Sequence, residues 1–194
     1  MNRTADLSRK TLETEVAMTL DLDGTGQSHV ATGIGFFDHL LSSLAHHGMF
    51  DLLVDTNGDL DVDDHHTVED TALVLGRAFS DALGDRTGIA RFGDAAVPMD
   101  EALATVAVDV GGRPFAVVDL KLRTERIGAL STQMIAHALE AFARTAGCTV
   151  HVTAGGRNDH HVAEAVFKAL GRALRTAVAP DSRRSGVIST KGTT

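Results

Sequence analysis

The chain has 194 residues, of which 43% are hydrophobic and 23% charged, a composition typical of a globular protein with a sizeable core. The formal net charge of −8 and the absence of Trp and Tyr argue against a nucleic-acid-binding surface. A single cysteine, Cys148, excludes an internal disulfide and a cysteine-rich zinc fold. No apolar run approaches membrane-spanning length, and the polar segment 1–10 does not resemble a signal peptide, so we expect a cytoplasmic protein.

Hydrophobic periodicity predicts strands and helices in the first half. Apolar residues alternate with polar ones over 16–22, which predicts a half-buried strand, and the period becomes helical from Phe37 until Gly48. Extended character returns at 51–55. Asn57-Gly58 then predicts a hairpin leading to Leu60 and Val62. A long amphipathic helix follows, with one apolar face formed by Val68, Ala72, Leu75, Phe79 and Leu83.

The second half shows the same order of elements. A strand is predicted over 106–110 and another over 115–120, with Gly111-Gly112 as the turn between them. A helix follows over about 129–144, then a strand over 148–152 and a final helix that runs to about Val178. The order shared by the halves is strand, strand, helix, strand, helix.

Matched sequence motifs indicate an internal duplication. Asp-His-His occurs at 64–66 and again at 159–161, 95 positions apart, and a glutamate follows each at the same spacing. The other matched positions are Leu75–Ala78 with Leu170–Ala173, and His39 with His137. We therefore predict one domain over 1–194, an α/β fold in which two two-layer α+β repeats, about 12–85 and 100–180, are related by a pseudo-twofold axis, with a tail over 181–194.

The duplicated segments carry the residue types that bind metal ions. On a helix, Glu69 lies near both His65 and His66, because residues three and four apart share a face. The two histidines diverge by about 100°, so they are poorly placed to bind one ion together and well placed to bind two. The second segment carries the same set at His160, His161 and Glu164.

With His39 and His137, the two segments supply six imidazoles and two carboxylates, or three His and one Glu for each of two ions. Four nitrogen and oxygen ligands leave two positions of an octahedral ion open, which suits Mn²⁺ or Fe²⁺ better than a closed zinc site, although affinity alone does not exclude Zn, Co or Ni. Asp64 and Asp159 are expected to cap free N–H groups at the helix starts, and the acidic run 59–64 is interpreted as a solvated turn. Four histidines lack a repeat partner and are interpreted as solvated or structural: His29, His46, His47 and His151. Of these, His47, beside the helix-ending Gly48, is the one for which another role stays open.

These motifs closely resemble those of the imidazoleglycerol-phosphate dehydratase family. The similar segments extend in order over nearly the whole chain, and the paired His-His-x-x-Glu is the most specific of them. They are Leu12–Thr14, Leu20–Gly26, Gly35–Leu41, His65–Asp70, Arg91–Gly93, Pro98–Leu103, Gly112–Pro114, His160–Lys168 and Ser189–Gly192.

The resemblance implies a fold like that of ribosomal protein S5 domain 2 and a reaction in histidine biosynthesis. In that reaction D-erythro-imidazole glycerol phosphate loses water and becomes imidazole acetol phosphate, with two Mn²⁺ per active site acting as Lewis acid and template. It also implies a homo-oligomer, a 24-mer built from trimers with metal sites where subunits meet, and no nucleic-acid or membrane partner.

Residue roles follow from the resemblance by position. Glu13 corresponds to the carboxylate that contacts the substrate, and it is the candidate general acid and base. The phosphate-binding candidates are Arg91, Arg113, Lys168, Ser189 and Lys191. The implied metal ligands are His39, His65, His66, Glu69, His137, His160, His161 and Glu164.

Two other functions are compatible with part of the pattern. Asp-His-His is also a signature of one family of manganese phosphoesterases, but that function leaves the duplicated Glu and the His39/His137 pair unexplained. A metal-storage protein would need neither Glu13 nor the basic cluster. Release of inorganic phosphate from the substrate would favour the first alternative, and absence of turnover would favour the second.

Overall fold

A computed structural model describes residues 3–183, Gly186 and Ser189 of the chain. Lys191, a predicted phosphate-binding residue, lies outside the described residues. Among the described helices, none combines the length and the apolar character that crossing a membrane requires.

The first half contains four strands and two helices. In β2, Val16, Met18 and Leu20 are buried while their neighbours are exposed or half-buried, which confirms the alternation predicted there. The elements are β1 (Thr4–Lys10), β2 (Thr14–Asp21), β3 (Ser28–Ala31), α1 (Gly35–Gly48), β4 (Asp51–Gly58) and α2 (His65–Leu83).

The second half has the same series of elements, with a short two-stranded sheet added before its first helix. Its apolar helix positions face the core, as the periodicity predicts. The elements are β5 (Phe92–Met99), β6 (Ala102–Asp109), β7 (Phe115–Leu120), β8 (Arg126–Ile127), β9 (Leu130–Ser131), α3 (Thr132–Ala146), β10 (Thr149–Gly155) and α4 (Asp159–Ala177).

The two four-stranded sheets have equivalent strand orders, β1-β2-β4-β3 and β5-β6-β10-β7. In each sheet the first two pairings are antiparallel and the last is parallel. The α/β class with two-layer halves is confirmed, but each four-stranded sheet has one more strand than the three predicted for its half, and the second half also contains the short strands β8 and β9. The repeat bounds near 12 and 100 leave out β1 and β5, because in such edge strands most side chains remain at least partly exposed and the alternation is weak.

The helices of the two halves pack against each other in the middle of the molecule. Helix α1 lies against α4, and α2 lies against α3, while each helix also packs on the sheet of its own half. The layers are therefore sheet, helices, helices, sheet. This order brings residues that are far apart in sequence together between the halves.

The predicted hairpin at Asn57-Gly58 is wrong. Strand β4 ends at Gly58, and the Val62 N–H donates to the Asp59 carbonyl at 2.8 Å in a turn that leads into α2. Strand β4 is hydrogen-bonded to β2 on one side and β3 on the other. A returning strand could not run back along β4, because β2 covers one edge over its whole length and β3 covers the other over residues 52–55.

Two matched glycines allow the helices of opposite halves to approach closely. A Cβ added at Gly171 in α4 would lie 2.4 Å from the Leu44 carbonyl oxygen of α1, and one at Gly76 in α2 would lie 2.4 Å from the Phe142 carbonyl oxygen of α3. Glu164 precedes Gly171 by two turns and so lies on the same face of α4. The glycines therefore fix the helix approach that sets the spacing of the predicted ligands.

Replacing Gly171 by alanine is expected to lower the free energy of unfolding by about 1–3 kcal/mol, because the methyl group would overlap backbone atoms that cannot move alone. Urea unfolding measures the loss. Gly35→Ala is the matched control, since a Cβ there meets nothing within 4 Å at the start of α1. Equal unfolding midpoints for the two variants would contradict the close-approach role.

Candidate metal centre

The first candidate ligand group joins α1 of the first half to α4 of the second. The Nε2 atoms of His39 and His160 lie 2.9 Å and 3.1 Å from the same carboxylate oxygen of Glu164. The three ligand atoms lie within 4.8 Å of one another. Phe36 covers the group from one side, with its ring centroid 4.8 Å from that of His160.

The second group joins α3 of the second half to α2 of the first. His137 Nε2 lies 3.3 Å from one oxygen of Glu69, and His65 Nε2 lies 3.6 Å from the other. His137 Nε2 is buried, and its contact with Glu69 is not a hydrogen bond; it forms none with the described residues. A buried imidazole nitrogen without a hydrogen bond is costly unless another group binds it, so this atom fits a metal ligand.

The two groups are assembled in the same way. Each takes a histidine and a glutamate four residues apart on the last helix of one half, and a single histidine from the first helix of the other half. Imidazole nitrogen and carboxylate oxygen are ligands that suit Mn²⁺, Fe²⁺ and Zn²⁺. Of the eight predicted metal ligands, six are brought together here, in two sets of three.

Basic side chains keep both glutamates ionised. Burial raises the pKa of Glu164, but hydrogen bonds from His39 and Lys168 outweigh it and lower that pKa to about 2. Burial likewise raises the pKa of Glu69, and the hydrogen bond from Arg144 together with His137 brings it below its ordinary value. Arg144 was not predicted as a site residue, because nothing in its sequence context distinguishes it from a solvent-exposed arginine on a helix.

The remaining two predicted ligands, His66 and His161, are directed away from these groups. His66 Nδ1 is 3.0 Å from a carboxylate oxygen of Asp59, and His161 Nδ1 is 2.9 Å from one of Glu101. Adjacent residues on a helix diverge by about 100°, which separates each from the histidine before it. The interpretation of 59–64 as a solvated turn is therefore wrong for Asp59.

Both groups border open cavities. His160 lines a cavity of about 470 Å³ together with Arg123, Arg126 and Arg157. His137 lines another of about 300 Å³. One histidine of each group therefore borders open space.

Glu13 lies beside the second histidine of the first pair. Its Oε1 is 3.7 Å from His66 Nε2, and its side chain is half-exposed. The hydroxyl of the next residue, Thr14, donates to Asp70 of α2, one turn after His66. This contact ties the start of β2 to the helix that carries the histidine pair.

The predicted phosphate-binding residues lie in two places. Arg91 donates to Asp109 from Nε and Nη2 at 2.7 Å and 2.9 Å, and Arg113 lies 3.7 Å from the same carboxylate. Lys168 is instead bonded to Glu164 at 2.7 Å. Ser189 is half-buried near the end of the described residues.

Asp109→Asn is expected to lower the free energy of unfolding by about 1–3 kcal/mol at neutral pH, because it weakens a mostly buried two-bond pair with Arg91. Burial raises the pKa of Asp109, but Arg91 outweighs it and lowers that pKa below its ordinary value of 3.8. The stabilisation is therefore present above pH 3.8 and is lost as the pH falls through the folded-state pKa. Urea unfolding across a pH series should show the difference from wild type closing only under acid conditions. A constant difference at every pH, or an equal loss in the exposed Asp94→Asn control, would contradict this.

The expected helix-capping roles of Asp64 and Asp159 are wrong. Asp64 makes no side-chain cap bond and accepts instead from the backbone N–H and the hydroxyl of Ser131, at the start of α3. Asp159 lies inside α4 and accepts from Thr124, while Asn158 caps the helix. Both aspartates thus attach a distant loop to the start of a ligand-bearing helix.

The unmatched histidines lie outside both candidate ligand groups. His29 and His151 are exposed on strands, and the rings of His46 and His47 contact each other near the end of α1. Burial, followed by nearby Lys168, lowers the pKa of His47.

Comparison with known proteins assigns the family. Residues 32–174 match the family described as "imidazoleglycerol-phosphate dehydratase". The enzyme of that name from Methylorubrum extorquens is 52% identical over 192 residues, 98% of each chain. The solved dehydratase structures from Staphylococcus aureus and Pyrococcus furiosus are each 32% identical, with TM-scores of 0.82 and 0.84. The first covers 91% of this chain and 99% of its own, and the second covers 97% and 100%.

Fold and site together define an α/β protein with two His–His–Glu groups, each built between its halves. Full-length similarity then fixes the particular family. The chain belongs to the imidazoleglycerol-phosphate dehydratase family, and it is a hydro-lyase of histidine biosynthesis.

Proposed function

We propose that the chain converts D-erythro-imidazole glycerol phosphate into imidazole acetol phosphate and water at a site that holds two Mn²⁺ ions. The observation that carries this proposal is the pair of equivalent ligand groups, one of which contains a buried His137 nitrogen that lies near Glu69 but forms no hydrogen bond within the described part of the chain. A single such group is found in many metal-binding proteins. Two groups of the same construction support a dinuclear site.

The donor atoms fit manganese in type and number. Each group offers two imidazoles and one carboxylate, which leaves positions for a third histidine and for substrate on a six-coordinate ion. When bound, the metal supplies Lewis acidity and a template for a reaction that has no net electron transfer. His66 and His161 are the proposed third ligands, donated to the groups of another copy of the chain.

Glu13 is the proposed general acid and base. Its half-exposed carboxylate lies beside the His66 ring, so a substrate held next to that ring is within reach of proton transfer. The dehydration removes a weakly acidic proton from carbon and releases hydroxide, a poor leaving group. A carboxylate can accept the first proton and return a proton to the departing oxygen.

The substrate phosphate is proposed to bind a cluster of basic and hydroxyl side chains. Arg91 and Arg113 are brought together by their shared partner Asp109, and guanidinium groups bind phosphate through paired hydrogen bonds. Lys168 supplies its charge from the Glu164 side. Ser189 and Lys191 complete the proposed cluster.

We also propose that the functional form is a cytoplasmic homo-oligomer, a 24-mer assembled from trimers, and that the chain is one domain of two repeats with a tail over 181–194. The supporting observation is that one copy of the chain brings only three of four predicted ligands into each group. A neighbouring copy would supply the fourth.

The test incubates the purified full chain with imidazole glycerol phosphate and Mn²⁺ and measures imidazole acetol phosphate and free phosphate. Product without phosphate release is expected. Stoichiometric phosphate release would support a phosphoesterase, and full metal binding without turnover would support a storage protein. Either result would overturn the proposed function.

A further inference from the structure

The second histidine of each pair has a carboxylate within hydrogen-bond distance of its Nδ1. The ligand-group glutamates beside the other four predicted histidine ligands face Nε2 instead. Both oxygens of Asp59 lie near His66 Nδ1, at 3.0 Å and 3.2 Å. One oxygen of Glu101 lies 2.9 Å from His161 Nδ1. The histidine atoms are equivalent, because each contact is to Nδ1 of the second histidine of a pair. The acids are not equivalent: Asp59 lies in the turn after β4, and Glu101 lies in the turn between β5 and β6.

An ionised carboxylate only accepts hydrogen bonds, so the imidazole must donate from Nδ1. A neutral imidazole that carries its proton on Nδ1 has its free lone pair on Nε2. In this tautomer Nε2 is the nitrogen able to bind a metal, and the ring orientation is fixed by the same bond.

We propose that a carboxylate selects the tautomer and orientation of the second histidine in each pair, leaving Nε2 as its metal-binding nitrogen. The two positioning residues are Asp59 for His66 and Glu101 for His161. This inference rests on the proposed metal-binding function and adds to it two residues that do not themselves touch the metal.

Glu101 offers a sharp test because its two oxygens have different partners. Oε1 accepts the backbone N–H groups of Arg157 and Asn158 at 2.9 Å and 2.7 Å, while Oε2 faces His161. In Glu101→Gln the single amide oxygen is held by the two backbone donors. The amide nitrogen then faces His161 Nδ1 and favours the opposite tautomer, in which Nε2 carries the proton.

Asp59 should respond differently to the same kind of change. No other donor to its carboxylate is found among the described residues, so an asparagine can turn its amide oxygen toward His66 and keep the bond. Asp59→Ala removes the acceptor entirely. The inference thus predicts that the amide substitution preserves metal binding at position 59 and impairs it at position 101.

The experiment titrates Mn²⁺ into the full chain after metal removal by a chelator and measures free Mn²⁺ by electron paramagnetic resonance. Glu101→Gln and Asp59→Ala are each expected to weaken Mn²⁺ binding about 10–100-fold, and Asp59→Asn to retain most of the affinity. The unfolding temperature of the metal-free protein should match wild type in Glu101→Gln, since both backbone bonds remain. Asp100→Asn is the matched control, because that exposed carboxylate lies 3.9 Å from the same His161 nitrogen and its loss should change affinity by no more than about twofold.

Several outcomes would overturn the inference. One is a wild-type Mn²⁺ affinity in Glu101→Gln. Another is an equal loss of Mn²⁺ affinity in Asp59→Asn and Asp59→Ala. A fall in the unfolding temperature of metal-free Glu101→Gln that accounts for the weaker binding would assign Glu101 a structural role instead. Failure of the wild-type chain to bind Mn²⁺ would be distinct from all of these, because it would overturn the proposed function itself.

Discussion

His160→Ala is expected to lose Mn²⁺ from the group that also contains His39 and Glu164, and to lower dehydratase turnover by more than about 100-fold. Mutation of a residue that only hydrogen-bonds to a metal ligand typically lowers metal affinity or activity roughly 10–100-fold, so loss of a ligand itself should exceed that range. The remaining His39 and Glu164 atoms would also keep their 2.9 Å hydrogen bond rather than share an ion. Elemental analysis of the purified protein gives the metal content, and an assay with imidazole glycerol phosphate gives the turnover.

His151→Ala is the matched control for this experiment. His151 is exposed on β10 in the same half of the chain and lies in neither candidate ligand group. It should retain wild-type metal content and turnover. Full Mn²⁺ stoichiometry in His160→Ala would contradict the ligand assignment, whereas comparable losses in both variants would indicate a general effect of histidine removal.

Glu13→Gln is expected to reduce turnover by roughly 10²–10⁴-fold while metal content and assembly stay at wild-type levels, because general acid–base catalysis contributes about that factor. Glutamine keeps the size and polarity of the side chain but cannot transfer a proton. Since Glu13 is half-exposed and 3.7 Å from His66, its neutralisation should leave the ligand groups intact. Steady-state kinetics with parallel metal analysis separates the two effects.

Glu15→Gln provides the comparison two residues further along the chain, on β2. Glu15 is exposed and pairs with Lys10, away from the histidines, so its removal should leave turnover unchanged. Wild-type turnover in Glu13→Gln would end the acid–base assignment. Loss of metal in that variant would show that Glu13 acts on the ligand groups rather than on the substrate.

Sequence periodicity predicted the helices well because they are long and strongly amphipathic. Helix α2, whose start was predicted at Asp64-His65-His66, spans His65–Leu83, and α1 ends at Gly48 as its glycine indicated. The strands were less predictable. Strand β1 buries only Ala5 and was missed, while Asn57-Gly58 produced a false hairpin, since its local turn signal carries no information on whether an edge of β4 is free.

Within the site, local spacing and tertiary contact contributed different parts. The pairing of His160 with Glu164 follows from helical geometry at four residues' separation. Helical geometry does not show which further histidine joins this pair, because His39 is 125 residues from Glu164 and belongs to the other half. The carboxylate partners of His66 and His161 were missed for the same reason: Asp59 stood in an acidic run, and Glu101 lies 60 residues from its histidine.

The sequence by itself determined the chemistry available to this protein: the residue types, their duplication and the helical spacing that places each glutamate beside a histidine. Those properties are local and repeat along the chain, so they can be seen without coordinates. Only the tertiary structure decided how the six predicted histidine ligands divide. Two histidines and one glutamate form each group, and the second histidine of each His-His pair faces a different carboxylate. That division depends on the packing of α1 against α4 and of α2 against α3, where glycines let the helices of opposite halves approach closely. Contacts between distant segments arise from packing the whole core, and no local pattern specifies them.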